Sequence, residues 1–122
     1  MYLTYPALPD TDTLILENPR GWRVEMLIKG NGDQTFTLVA QSGISGEPAL
    51  LNKLQGPFHS RDQAVAARAA ISQQLLNKQF QLIEPAVPIW TLQAMKALKP
   101  IRQQHQTHNP SDRFRPEDVI FD

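Results

Sequence analysis

The chain has 122 residues, enough for one domain that buries roughly two-thirds of the surface exposed by the unfolded chain. It contains no cysteine, which excludes disulfides, thiolate nucleophiles and zinc sites with sulfur ligands. Twelve basic residues balance twelve acidic ones, so the net charge favours neither a nucleic-acid partner nor a membrane.

The N-terminal segment MYLTYP, at 1–6, has neither the basic start nor the apolar stretch of a signal peptide. No apolar run approaches the ~20 residues that a membrane helix needs. The absence of cysteine fits a reducing compartment. We therefore expect a cytoplasmic protein without a membrane partner.

Two alternating segments near the start of the chain predict a β-hairpin. Residues 13–17, TLILE, first form a short apolar strand that the turn sequence NPRG, at 18–21, brings to an end. Large apolar side chains then alternate with polar ones in 22–29 and again in 35–41. The sequence GNGD at 30–33 lies between these two strands and is typical of a hairpin loop.

The apolar faces predict the length of this hairpin loop. A two-residue turn would pair Met26 with Thr37 and place apolar residues opposite polar ones. A three-residue loop, residues 30–32, pairs Met26 with Phe36 and gathers the large apolar side chains on one face. We predict the three-residue loop, with Gly32 in the left-handed conformation. The other face is polar and is a secondary candidate for a binding surface; its polar residues are Arg23, Glu25, Lys29, Thr35, Thr37 and Gln41.

The middle of the chain predicts a loop, a strand, a helix and a short strand. Residues 41–48 are rich in glycine and serine and predict the loop, and 49–55 predict a strand that ends at Gly56-Pro57. A helix from Ser60 to about residue 77 follows, and 80–84 predict another short strand.

Ser60 has the features of a helix N-cap. Gln63 follows it at the spacing of a capping box, and Asp62 in the first turn favours the helix dipole. The apolar stripe of this helix would pack on the sheet; it consists of Ala64, Ala67, Ile71 and Leu75.

The same junction allows two functional alternatives. Free backbone amides at the helix start, with His59, Ser60 and Arg61 beside them, could bind an anion such as phosphate. A small enzyme with a site near His59 is the other alternative, although no acid that could orient the histidine is identifiable.

Gly56-Pro57-Phe58, Ser60-Arg61 and Ala64 resemble the helix-start motif of sporulation-related repeat domains, which bind denuded peptidoglycan. The resemblance covers about ten residues. The rest of the chain departs from that family, in which a strand and a helix precede paired strands. The resemblance therefore implies a strand-to-helix junction, and no function is carried over.

A second helix is predicted near 89–99, with an apolar stripe of Trp90, Ala94, Ala97, Leu98 and Ile101. Pro100 predicts that this helix ends near Leu98 or kinks there. We expect the helix to close the remaining edge of the sheet.

The second helix and the polar tail that follows it are the main candidate for a binding surface. Residues 88–115 contain five basic residues against one acidic one. The candidate partner-binding residues are Lys96, Lys99, Arg102, Arg113, Arg115, Val119, Ile120 and Phe121. The basic residues could alternatively contact nucleic acid.

The apolar cluster Val119-Ile120-Phe121 follows a nearly all-polar stretch of about 17 residues, 102–118. Such a cluster could dock on the sheet edge of its own domain or add to a partner as an extended peptide. We favour binding to a partner, because the polar stretch is longer than a connection back to the same domain would need. His105 and His108 have the spacing of two helical metal ligands, but a zinc site needs a third ligand.

The sequence thus predicts an α+β domain at 1–101 and a flexible tail at 102–122. Its antiparallel sheet has about four strands, includes the hairpin 22–41 and packs against the helix from Ser60. We expect a non-enzymatic module, without a cofactor, that binds a protein partner or forms a homo-oligomer. Nucleic-acid binding is the alternative.

Overall fold

The computed structural model describes residue 8 and residues 11–104, with side chains as far as Pro100. The elements are β1 (Thr13–Glu17), β2 (Trp22–Gly30), β3 (Phe36–Ile44), β4 (Leu51–Phe58), α1 (Arg61–Asn77), β5 (Gln81–Leu82) and α2 (Thr91–Gln104). The five strands form one antiparallel sheet in the order β4-β3-β2-β1-β5. The predicted α+β fold is confirmed, and the fifth strand is β5, which is shorter than the predicted 80–84.

The two helices lie on opposite faces of the sheet. The predicted apolar face of the hairpin packs against α1, in a core built from Leu16, Val24, Met26, Ile28, Leu38, Ala40, Ala64, Ile71, Leu75 and Phe80. The second core consists of Val39, Ala94 and Leu98, with Leu27, Leu54 and Met95 packed against it. Val39 points away from Leu38 and Ala40 because neighbouring strand residues face opposite sides. The expectation that α2 closes a sheet edge was therefore wrong, since α2 covers the second face.

The predicted register of the hairpin was also wrong. Met26 pairs with Ala40 and Gly30 pairs with Phe36, so the loop contains residues 31–35. The shift from the predicted pairing of Met26 with Phe36 is an even number of residues. Because side chains alternate with a period of two, an even shift leaves every residue on the predicted face.

Polar side chains explain the longer loop. Asn31 and Thr35 close it with a backbone bond of 2.9 Å from Asn31 N to Thr35 O, and the Asn31 amide donates to the Thr35 hydroxyl at 3.0 Å. Asp33 Oδ1 accepts from Thr35 N at 3.1 Å. Gly32 has the predicted positive φ, +88°. Side chains rather than the Asn-Gly pair alone therefore determine the turn.

β3 continues to Ile44, past the start of the loop predicted at 41–48. Its residue Gly43 lies under the returning chain, because a Cβ there would be 3.1 Å from Leu50 N. Leu50 N donates to Ser42 O at 2.9 Å and begins the path back to β4. The turn between β3 and β4 is therefore shorter than the predicted loop at 41–48.

The second helix continues beyond Pro100 to Gln104, so of the two predicted outcomes, a stop near Leu98 or a kink there, the stop is excluded. Proline removes the amide that would bond to the carbonyl of Lys96. Both Pro100 and Lys96 are exposed residues.

Candidate functional site

The polar face of the hairpin is buried beneath the chain that leads into α2. Arg23 is 6% exposed and Glu25 is 2% exposed. The Arg23 guanidinium contacts Glu25 Oε2 at 2.8 Å and Glu17 Oε2 at 2.7 Å, and it donates to the Val87 carbonyl at 2.8 Å. The prediction of an open binding surface on this face was therefore wrong.

Two polar side chains of this face, Glu25 and Gln41, bond to the backbone just before α2. Glu25 Oε2 accepts from Ile89 N at 2.8 Å, and Glu25 Oε1 accepts from Trp90 N at 3.3 Å. Gln41 Nε2 donates to the Trp90 carbonyl at 3.1 Å and to Asn52 Oδ1 at 2.7 Å. These side chains position the helix, because they take up backbone groups that the sheet and the helix leave unpaired.

The turn between β3 and β4 is fixed against the start of α2 by side chains of the helix. Gln93 accepts from Ala49 N at 2.8 Å and donates to Ala49 O at 3.2 Å. The indole nitrogen of Trp90 donates to Glu47 O at 2.7 Å, and the ring is buried. Trp90 is thus buried with the apolar stripe predicted for the second helix, and the same residue joins the two segments.

These two segments form the walls of an open groove of about 690 Å³, which we name the α2 groove. One wall is residues 46–48, and the other is residues 88–93 with Lys96. Two apolar side chains of the second wall face solvent, since Ile89 is 48% exposed and Leu92 is 79% exposed. Exposed apolar side chains that line a groove mark a binding surface more often than scattered ones do.

A stripe of one apolar and two basic residues runs along the solvent side of α2, with the exposed Ile89 just before the helix begins. Leu92, Lys96 and Lys99 follow one another at spacings of four and three, which places them on one helix face. The buried residues Trp90, Ala94 and Leu98 occupy the opposite face. Both lysines are exposed.

Two of the predicted partner-binding residues, Lys96 and Lys99, thus lie on this stripe. Arg102 lies within α2, but the structure describes only its backbone. Arg113, Arg115, Val119, Ile120 and Phe121 lie outside them altogether. Ile89 and Leu92 were not among the predicted binding residues. The signal was present, because both are large apolar residues out of phase with the buried stripe.

A smaller cavity of about 160 Å³ lies between β2 and α2. Its lining includes Glu25, Lys29, Gln41 and Thr91. The cavity is small, and the carboxylate of Glu25 is already bonded to Arg23 and to the amide of Ile89, just before α2. We therefore place the candidate site in the α2 groove.

The predicted anion-binding residues form a helix start. Ser60 Oγ accepts from Gln63 N at 3.1 Å, and Gln63 Oε1 accepts from His59 N at 2.9 Å, one residue earlier than the predicted capping box. Arg61 contacts Asp12 at 3.1 Å across the surface. The junction therefore begins α1, and anion binding by His59, Ser60 and Arg61 stays a prediction.

Ser60→Ala is expected to lower the free energy of unfolding by about 1 kcal/mol, because the amide of Gln63 loses its acceptor. His59→Ala should change it by less than about 0.5 kcal/mol, since the side chain is exposed. Urea denaturation followed by circular dichroism measures both values. An equal or larger loss in His59→Ala would contradict the capping role.

Within the described part of the chain, no three His, Asp or Glu residues come together as a metal site. His105 and His108 fall outside that part. None of the helices within residues 11–104 has both the length and the apolar character needed to cross a membrane.

The sequence profile of the PA4575-like protein family matches residues 10–118. Neither the curated proteins nor the solved structures include a significant match. The profile spans the sheet, both helices and the α2 groove. Because this match covers well over half of the sequence, the chain belongs to the PA4575-like protein family.

Proposed function

We propose that the protein is a non-enzymatic, cytoplasmic peptide-binding module. Its α2 groove takes a short segment of a protein partner in which apolar side chains are flanked by acidic ones. The observation that carries the proposal is the exposure of Leu92 and Ile89 on a wall that buried hydrogen bonds hold in place.

Burial of the exposed apolar side chains would supply affinity. Complete burial of a leucine or isoleucine side chain contributes about 2 kcal/mol, and Leu92 is largely exposed. The groove wall that carries these residues needs little ordering when a ligand binds, because Glu25 and Gln41 already fix its backbone. A preorganised surface loses less conformational entropy on binding.

Charge along α2 supports an acidic flank on the ligand. Lys96 lies one turn beyond Leu92, and Lys99 lies on the same face about one turn further. Glu47 stands on the other wall of the groove and disfavours acidic groups near that wall. A ligand would therefore place its acidic end towards the lysines and its apolar part beside Leu92 and Ile89.

The same two lysines keep nucleic-acid binding as the alternative function. Contacts to phosphate would use Lys96 and Lys99 with the basic residues further along the chain, and Leu92 would add little. Such binding falls steeply as salt concentration rises. The two functions therefore respond differently to substitutions at Leu92 and at the lysines.

Selection from a displayed library of random peptides tests the proposal with purified full chain as the target. We expect enriched peptides to combine two or three apolar residues with neighbouring acidic residues. Leu92→Asp should weaken their binding at least about tenfold, the change that corresponds to 1.4 kcal/mol. The substitution should leave folding intact, because Leu92 is exposed and an acid is favourable in the first turn of a helix.

Ala66→Asp is the matched control, since it adds the same charge at an exposed position of α1, on the opposite face of the sheet. Its peptide affinity should equal that of the unsubstituted chain. Absence of enriched peptides, or equal binding by Leu92→Asp, would refute the proposal. The alternative would be established if the chain binds labelled RNA or DNA, if Lys96→Glu and Lys99→Glu abolish this binding, and if Leu92→Asp does not.

A further inference from the structure

We propose that one ligand of the α2 groove is residues 117–122 of the same chain, bound intramolecularly. This inference rests on the proposed function and identifies an occupant for the same site. The segment is EDVIFD, in which two acidic residues precede three apolar ones and a third acid follows. It has the composition that the groove wall favours.

The order of side chains matches the stripe on α2 when the segment runs antiparallel to the helix. Glu117 and Asp118 would then lie beside Lys99 and Lys96, and residues 119–121 beside Leu92 and Ile89. The lengths are comparable. Six extended residues span about 17 Å, while α2 rises about 11 Å from Leu92 to Lys99 and Ile89 lies beyond the start of the helix.

The direction of the segment follows from its two leading acids. The antiparallel direction places Glu117 and Asp118 near Lys99 and Lys96, and leaves Asp122 alone at the end of the groove where Glu47 lies. The parallel direction would instead place both leading acids near Glu47.

The intervening chain is long enough for this return. Twelve residues separate Gln104 from Glu117, and an extended chain of that length reaches about 43 Å. The path back along α2 from Gln104 to Lys99, beside which Glu117 would lie, is about 8 Å. A short tether gives an effective concentration on the order of 1 mM, so the segment of the same chain competes well with a segment of a second copy. This geometry favours intramolecular docking over the partner that the tail length alone suggested.

Ile120→Asp in the full chain tests this occupancy. The segment competes with any added peptide for the groove. With an effective concentration of about 1 mM and a dissociation constant of about 0.1 mM for the segment, its release should tighten binding of a library-selected peptide about tenfold. In amide NMR spectra, the substitution should shift Leu92, Gln93 and Lys96. Addition of the synthetic peptide PEDVIFD to the Ile120→Asp chain should reverse those shifts.

Charge reversal separates direct pairing from an indirect effect. Lys96→Glu with Lys99→Glu should release the segment and reproduce the NMR shifts of Ile120→Asp. Glu117→Lys with Asp118→Lys, added to that chain, should restore the original spectrum. Lys78→Glu, an exposed charge change at the end of α1, should have no effect on it.

Each negative outcome has a distinct meaning. If selected peptides bind the groove with equal affinity in the original chain and in Ile120→Asp, the intramolecular ligand is refuted and the proposed function stands. If neither chain binds peptides at Leu92, the proposed function itself fails. NMR shifts on β4 in place of α2, or shifts that vanish on dilution, would overturn the inference in favour of the sheet edge or a second copy.

Discussion

Glu25→Gln is expected to lower the free energy of unfolding by about 3–5 kcal/mol, a large fraction of the stability of a domain of this size. The substitution preserves shape but removes the negative charge that faces the buried guanidinium of Arg23 at 2.8 Å. Arg23 keeps its contact with Glu17, which is more exposed and compensates only in part. Chemical denaturation followed by circular dichroism measures the loss.

The effect should also be visible at the groove. Ile89 and Trp90 donate their amides to Glu25, so the neutral side chain weakens the attachment of the segment that leads into α2. Hydrogen exchange at residues 87–92 should therefore accelerate more than exchange in β1 to β4. Glu84→Gln, at an exposed position, serves as the control and should change stability by less than about 0.5 kcal/mol. A similar small loss in Glu25→Gln would show that the buried pair contributes little.

Arg68→Met is expected to lower the free energy of unfolding by about 2–4 kcal/mol. Arg68 is only 1% exposed on α1, and its guanidinium donates to the carbonyls of Thr11 at 2.6 Å and Asp12 at 3.2 Å. Methionine fills much of the same volume but offers no donor to these carbonyls. The loss of stability should therefore measure the contribution of the hydrogen bonds that attach the segment before β1 to α1.

Gln74→Met on the same helix is the matched control, because this position is exposed and the substitution also introduces methionine. Its unfolding free energy should stay within about 0.5 kcal/mol of the original. The Arg68→Met chain should in addition lose hydrogen-exchange protection at Ile28, whose amide donates to Asp12 O at 2.9 Å. Unchanged stability in Arg68→Met would mean that water replaces the guanidinium at no cost.

Local patterns in the sequence were sufficient for most of the sheet and for the start of α1. The strand at 13–17, the hairpin and the cap at Ser60 depend on residues close in the chain, whose alternation and hydrogen-bonding groups can be recognised directly. The register of the hairpin was wrong because loop length depends on side-chain contacts of Asn31, Asp33 and Thr35. The predicted face of each strand residue was still correct, because the register was shifted by an even number of residues.

The position of α2 and the groove beside it were decided by tertiary structure. Arg23, Glu25 and Gln41 have the sequence pattern of a solvent-facing strand face, but their partners are backbone groups of residues 87–90, more than 45 positions away. Burial of Arg68 follows the same rule, since it depends on carbonyls before β1. Polar side chains can be buried wherever distant backbone groups form hydrogen bonds with them. The local sequence pattern does not show which distant groups these are. The α2 groove likewise exists only because a strand turn and a helix start, distant in sequence, meet on one face of the sheet.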